Sequence, residues 1–145
     1  MNSHKEKYSE LTNCLCTSVR RSARNISQIY SEHLQQSGEK INPNQVSILV
    51  VLSQIEKKTI SELSNILKME RTTLTRNLKV LDKLGWIKTY CGTDGRMKFT
   101  KLSKRGNQVL NKILPYWKKA QSKTKKILGE DLKLFQENLT KISNL

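Results

Sequence analysis

The chain has 145 residues, with 27 Lys and Arg against 12 Asp and Glu, for a formal net charge of +15. That length predicts a single domain, and a hydrophobic fraction of 36% is too high for a disordered chain. The charge excess points to a polyanionic partner, nucleic acid or an anionic surface.

The longest apolar run, residues 46–52, is interrupted by Ser47 and is far too short to span a bilayer. Residues 1–7 lead into no apolar segment, so no secretory signal is predicted. Cys14, Cys16 and Cys91 form an odd, sparse set that fits reduced thiols better than a disulfide framework. These features predict a soluble cytoplasmic protein. The charge is uneven: residues 1–55 carry +2, residues 56–106 carry +8 and residues 107–145 carry +5. A peak in the middle of the chain predicts a folded basic surface, not a basic tail.

Residues 5–36 contain neither Pro nor Gly and read as one helix, with Leu11, Leu15, Val19, Ser22, Ile26, Ile29 and Leu34 on one stripe. Arg20, Arg21 and Arg24 lie on another face, and Gly38 ends the segment. Asn42-Pro43-Asn44-Gln45 then carries a capping-box pattern. It opens a helix over residues 46–55 that is apolar nearly all round, as the buried hub of a domain would be. Thr59 and Glu62 form a second capping box ahead of a short helix, residues 61–67, with Leu63, Ile66 and Leu67 inward. Met69 marks a turn. A helix over residues 70–84 follows, with Leu74, Leu78, Leu81 and Leu84 on its core side and Gly85 as its left-handed stop.

Residues 86–91 and 97–102 are rich in strand formers, and Asp94-Gly95 between them is a hairpin signal. Ser103 caps a long final helix, in which Pro115 predicts a kink but no break. Beyond Gly129, Leu132, Phe135, Leu139 and Ile142 recur at helical spacing as a seam with little of the domain left to cover it.

Two short helices joined by a tight turn, then a hairpin with a basic tip, make a winged helix-turn-helix. The fold class expected is mainly α with a small β-hairpin wing. Such a helix fits the major groove of double-stranded DNA, where its first turns reach phosphates and base edges. The residues offered there are Arg71, Thr72, Thr73, Thr75, Arg76, Asn77 and Lys79. The hairpin offers Arg96 at its tip and Lys98 behind it, suited to a phosphate or a narrow minor groove.

The stretch from Thr59-Ile60-Ser61-Glu62 through Arg71-Thr72-Thr73-Leu74-Thr75-Arg76 to Leu81-Asp82-Lys83-Leu84-Gly85-Trp86-Ile87 resembles the multiple-antibiotic-resistance regulator (MarR) family. So do Asp94-Gly95-Arg96 and Leu102-Ser103-Lys104-Arg105-Gly106. The resemblance covers essentially the whole chain. It implies a homodimeric repressor that holds a palindromic operator and releases it when a ligand or oxidant arrives. Residues 5–36 and 104–145 would be dimerisation helices and residues 42–102 the DNA-binding lobe. Leu11 and Leu15 on the first helix, with Leu132, Phe135, Leu139 and Ile142 on the last, would form the dimer contact.

Within the resembling organic hydroperoxide repressors a reactive cysteine sits near the start of the first helix, where this chain has Cys16. One tyrosine of that branch corresponds to Tyr30; the other is replaced by Arg20. Two readings of Cys16 stand: a redox sensor activated by nearby arginines, or a small apolar filler of the dimer helix. The family's other release signal is a small phenolic or aromatic-acid effector, whose carboxylate the first-helix arginines would pair with. Cys14 and Cys16 face about 200° apart on a helix, with only His4 and His33 to assist, so no metal site and no cofactor is expected. The absence of a phosphate loop and of any acid–base cluster argues against an enzyme. A membrane-surface role is disfavoured because the lysine cluster at residues 118–126 surrounds Ala120-Gln121-Ser122, with little to insert. A sequence-indifferent architectural DNA binder is the remaining competitor.

Overall fold

The structure, a computed structural model, describes residues 8–145 except Asp94, and of Glu10 the backbone only. His4, Lys5 and the Asp94 of the hairpin signal therefore lie outside the described residues. The elements in chain order are α1 (Ser9–Thr12), α2 (Leu15–Gln35), α3 (Pro43–Gln54), β1 (Lys58–Thr59), α4 (Ile60–Leu67), α5 (Arg71–Lys83), β2 (Ile87–Cys91), β3 (Lys98–Leu102), α6 (Lys104–Leu128), a 3-10 turn (Gly129–Asp131) and α7 (Leu132–Ser143).

The first helix is not continuous over residues 5–36. Cys14 takes an extended backbone (ψ 121°) and becomes the N-cap of α2, leaving Leu11 on the separate single turn α1. Thr12 closes that turn by donating its hydroxyl to the Ser9 carbonyl, 2.6 Å.

Helix α3 is the hub. It touches α2, α4, α5, α6 and β3, and Ile48, Leu49 and Leu52 are essentially fully buried. It starts at Pro43, earlier than the apolar run suggests, because the Asn42–Gln45 capping box is complete. Asn42 accepts from the Gln45 amide at 3.0 Å, and Gln45 accepts from the Asn42 amide at 3.1 Å. Its face at Val50 is open to solvent, so the helix is not buried all round.

Around this hub pack Leu34, Ile41, Leu63, Leu74, Leu78, Leu81, Trp86, Ile87, Val109 and Ile113. Helix α4 contributes Leu63, while Ile66, an expected inward residue, is 51% exposed. The sheet has three strands in the order β1-β3-β2, all antiparallel. The hairpin is thus extended by a two-residue strand, with Lys58 opposite Thr100 and Thr59 opposite Phe99.

One junction fixes the lobe on α6. Gly85 adopts φ 73° after α5, and the Trp86 amide closes back on the Leu81 carbonyl at 2.9 Å, a helix stop that needs the left-handed region. The Trp86 carbonyl then accepts from the Ser103 amide, 3.0 Å, and the Ser103 hydroxyl donates to the Gly85 carbonyl, 2.6 Å. The same hydroxyl caps α6 by accepting from the Gly106 amide at 3.0 Å. A Cβ on Gly106 would lie 2.0 Å from the Trp86 carbonyl oxygen, so the approach of α6 to the lobe requires glycine there.

Helix α6 runs unbroken through Pro115 and packs along α2, outside the lobe. Helix α7 packs on its end, buries no residue of its own, and leaves Leu134, Leu139 and Ile142 exposed. No helix among the described residues is long and apolar enough to cross a membrane.

Candidate nucleic-acid interface

Helix α5 is amphipathic by its leucines. Leu74, Leu78 and Leu81 are buried at helical spacing, which turns Thr72, Arg76 and Lys79 to the opposite, solvent face. Helix α4 holds α5 in place through the turn between them. Lys68 ends α4 in the left-handed region (φ 49°), the Ser64 hydroxyl donates to the Met69 carbonyl at 2.8 Å, and the Met69 amide returns to the Ser64 carbonyl at 3.2 Å.

The exposed side of α5 forms a shallow groove lined by Arg71, Thr72, Thr75, Arg76 and Lys79. A second hollow is lined by Thr59, Ser61, Arg71, Arg96, Met97 and Lys98. Arg71 borders both, and its guanidinium donates to the Ser61 hydroxyl of α4. The start of α5 and the tip of the hairpin therefore present one continuous basic surface. Among the described residues the only ion pairs are Lys58–Glu62 and Lys112–Glu39, so no carboxylate neutralises Arg71, Arg76, Lys79 or Lys98.

Two of the expected contact residues are partly engaged at home. Thr73 is half-buried, and Asn77, also half-buried, donates one amide hydrogen to the Thr73 carbonyl at 2.9 Å, leaving its second amide hydrogen and its side-chain oxygen. Thr75 is half-buried but still borders the groove. The wing turns tightly: the Gly92 amide donates to the Met97 carbonyl at 2.7 Å and the Gly95 amide to the Gly92 carbonyl at 2.9 Å, which places Arg96 on the exposed tip. The Arg71–Ser61 tie joins residues ten apart and has no sequence signal beyond the helix-turn-helix itself.

The thiols separate in the structure. Cys16 is exposed on the first turn of α2, whereas Cys14 is the half-buried N-cap. The Thr17 backbone amide foremost, then the Thr17 hydroxyl and the Cys16 amide, favour the thiolate and hold the Cys14 thiol below its ordinary pKa. The break at Asn13–Cys14 is what exposes these amides, and a helix drawn straight through it hides the effect.

Between α2, α3 and α6 lies a hollow of about 230 Å³ lined by Ile26, Tyr30, Leu34, Val46 and Trp117, with Ser27, Ser47 and Pro43. Tyr30 meets Trp117 edge-on, ring centroids 6.2 Å apart, and donates its hydroxyl to Gln121 of α6. Burial raises the Tyr30 pKa, so the side chain stays a neutral phenol. Among the described residues no Lys, Arg or His lines this hollow, and Arg20, Arg21 and Arg24 are exposed elsewhere on α2. Among the described residues no three His, Cys, Asp or Glu side chains gather where a metal could be held.

The MarR family model matches residues 40–97. The uncharacterized HTH-type transcriptional regulator YwoH of Bacillus subtilis (strain 168) is 32% identical over 95 residues, covering 66% of this chain and 68% of YwoH. The chain belongs to the MarR family. The MarR fold extends across nearly the whole molecule: the transcriptional regulator MosR of M. tuberculosis, in its crystal structure with DNA, superposes with a TM-score of 0.80 at 32% identity, over 91% of this chain and 95% of MosR. The crystal structure of overoxidized AbfR bound to DNA is similar at a TM-score of 0.71 and 25% identity, over 95% and 96% of the two chains. As a MarR protein the chain is a DNA-binding transcriptional regulator with a winged-helix fold, and not an enzyme.

Proposed function

We propose that this MarR protein is a homodimeric repressor of a nearby operon, binding a palindromic operator through α5 and the wing. The observation that carries the reading is the continuous basic surface in which Arg71 links the outer face of α5 to Arg96 and Lys98 of the hairpin. Arg76 and Lys79 point from the centre of α5 and suit base edges and phosphates of a major groove, while Arg96 suits the flanking minor groove. Dimerisation is supported by the apolar side chains that one chain leaves uncovered at its two ends: Leu11 and Leu15 are 66% and 72% exposed, and Leu134 and Ile142 are 57% and 50% exposed. A two-fold dimer would set the two α5 helices about one DNA turn apart, roughly 34 Å. Release would come from a small aromatic molecule in the hollow between α2, α3 and α6, because a wedge between Tyr30 and Trp117 acts where the lobe meets the long helices. The apolar lining and the absence of a cation favour a neutral phenol over an aromatic acid.

A second reading, an oxidant-released repressor, is favoured by the Cys14 geometry and by the likeness to overoxidized AbfR. It assigns the sensing thiol to Cys14, with Cys16 as the exposed neighbour. Binding to the chain's own upstream region, measured with added phenols and with organic hydroperoxide, tests both. Release by a phenol that Tyr30→Ala and Trp117→Ala abolish supports the first reading. Release by hydroperoxide that Cys14→Ser resists supports the second. A protein that shows no preference for its upstream region over unrelated DNA refutes the repressor.

A further inference from the structure

The outer face of the wing sheet carries a second cationic surface, distinct from α5 and the wing tip. Strand alternation turns Ile87 and Thr100 into the core and sends Lys88, Tyr90, Phe99 and Lys101 to the opposite side. There Lys88 stands directly opposite Lys101, and Tyr90 opposite Phe99 with the rings stacked at 6.0 Å. The Lys101 ammonium lies over the Tyr90 ring at 5.5 Å and the Lys57 ammonium over the Phe99 ring at 5.0 Å. Like charges opposed across neighbouring strands destabilise a sheet. Among the described residues no carboxylate pairs with Lys57, Lys88 or Lys101. The opposition of Lys88 and Lys101 is therefore unfavourable in the free protein and is relieved when an anion neutralises it.

We propose that this face is a sequence-independent phosphate-binding surface for duplex DNA. The proposal rests on the DNA-binding reading above and extends it to a part of the hairpin that α5 and Arg96 do not use. Two observations select the occupant. The ammonium groups cover the aromatic rings, so charge is presented outward and base stacking, the mode of single-strand binders, is blocked. The face also belongs to the hairpin whose tip carries Arg96, with Tyr90 and Phe99 between that tip and the Lys88–Lys101 pair. The rings serve as a platform that holds two flexible lysines extended.

The test compares wild type, Lys88→Gln/Lys101→Gln and the charge-matched control Lys123→Gln/Lys126→Gln, which removes two lysines from α6. Affinity is measured against salt on the chain's upstream region and on an unrelated duplex of equal length. The expected result is a sheet variant whose log–log salt slope is shallower by about 1 to 2, with affinity reduced several-fold and by the same factor on both duplexes. The α6 control should change less. The single variant Lys88→Gln should melt at or above the wild-type temperature, because it relieves repulsion while weakening DNA binding. A sheet variant indistinguishable from wild type, a loss no larger than the control's, or a Lys88→Gln protein of lowered melting temperature would each overturn the proposal. If Arg76→Ala abolishes the preference for the upstream region while the sheet variant binds normally, this proposal alone fails. A wild-type protein that binds neither duplex would refute the functional reading as well.

Discussion

At the residue scale, Gly106 and Glu62 show how single side chains decide the geometry of the DNA-binding lobe. Gly106 lets the first turn of α6 rest on the Trp86 carbonyl, where a methyl group would sit 2.0 Å from the oxygen. Gly106→Ala should therefore destabilise the fold by about 1–3 kcal/mol, the range for forced overpacking, read as a lower urea midpoint. Glu62 accepts from the Thr59 amide at 2.8 Å and the Thr59 hydroxyl at 2.9 Å, with Lys58 close by, and these hold its carboxyl below the ordinary 4.5. A depressed carboxyl stabilises the fold when ionised. Its contribution is thus present at neutral pH and is lost as pH falls below 4.5 through the lowered folded value. Glu62→Gln should be less stable than wild type at neutral pH, and the gap should close in acid. A gap that stays constant with pH would contradict this.

At the element scale, the helix ends were the most legible part of the sequence. Asn42 with Gln45, Thr59 with Glu62, Ser103 and Gly85 all act locally, and each is found capping or stopping the helix its spacing indicates. The leucine spacing of α5 likewise shows which side faces the core, and so which residues face out. What escaped the sequence depends on distant partners. Strand β1 exists because β3 offers an edge some forty residues later in the chain. Ile66 lies outward because, among the described residues, no element covers that side of α4, and the break at Cys14 leaves no composition signal. At the same break the amides of the first turn of α2 act on the Cys14 thiol. Alkylation of Cys14 by a neutral reagent, followed in the Cys16→Ser protein, should accordingly extend to lower pH than that of an ordinary thiol. A Cys14 profile matching that of an ordinary thiol would contradict the cap geometry.

At the scale of the whole molecule, the lobe and the long helices divide the work. The lobe gathers charge, with α5, the wing tip and the sheet face all cationic, while α1, α2 and α7 leave apolar side chains uncovered at the two chain ends. Phe135 sits half-buried on α7 among Leu132, Leu139 and Ile142. Phe135→Asp should shift the protein from dimer to monomer in sedimentation while leaving the helical content near wild type. An unchanged sedimenting mass would remove α7 from the dimer contact. The hollow at Tyr30 and Trp117 lies where these two halves meet, which is where a bound molecule could alter the spacing of two α5 helices.

The central claim is that α5 and the wing read a specific DNA site, and footprinting on the chain's own upstream region tests it most directly. The predicted result is protection of two half-sites about one helical turn apart, lost in Arg76→Ala and weakened in Arg96→Ala. Uniform protection along the duplex, unaffected by either substitution, would contradict it.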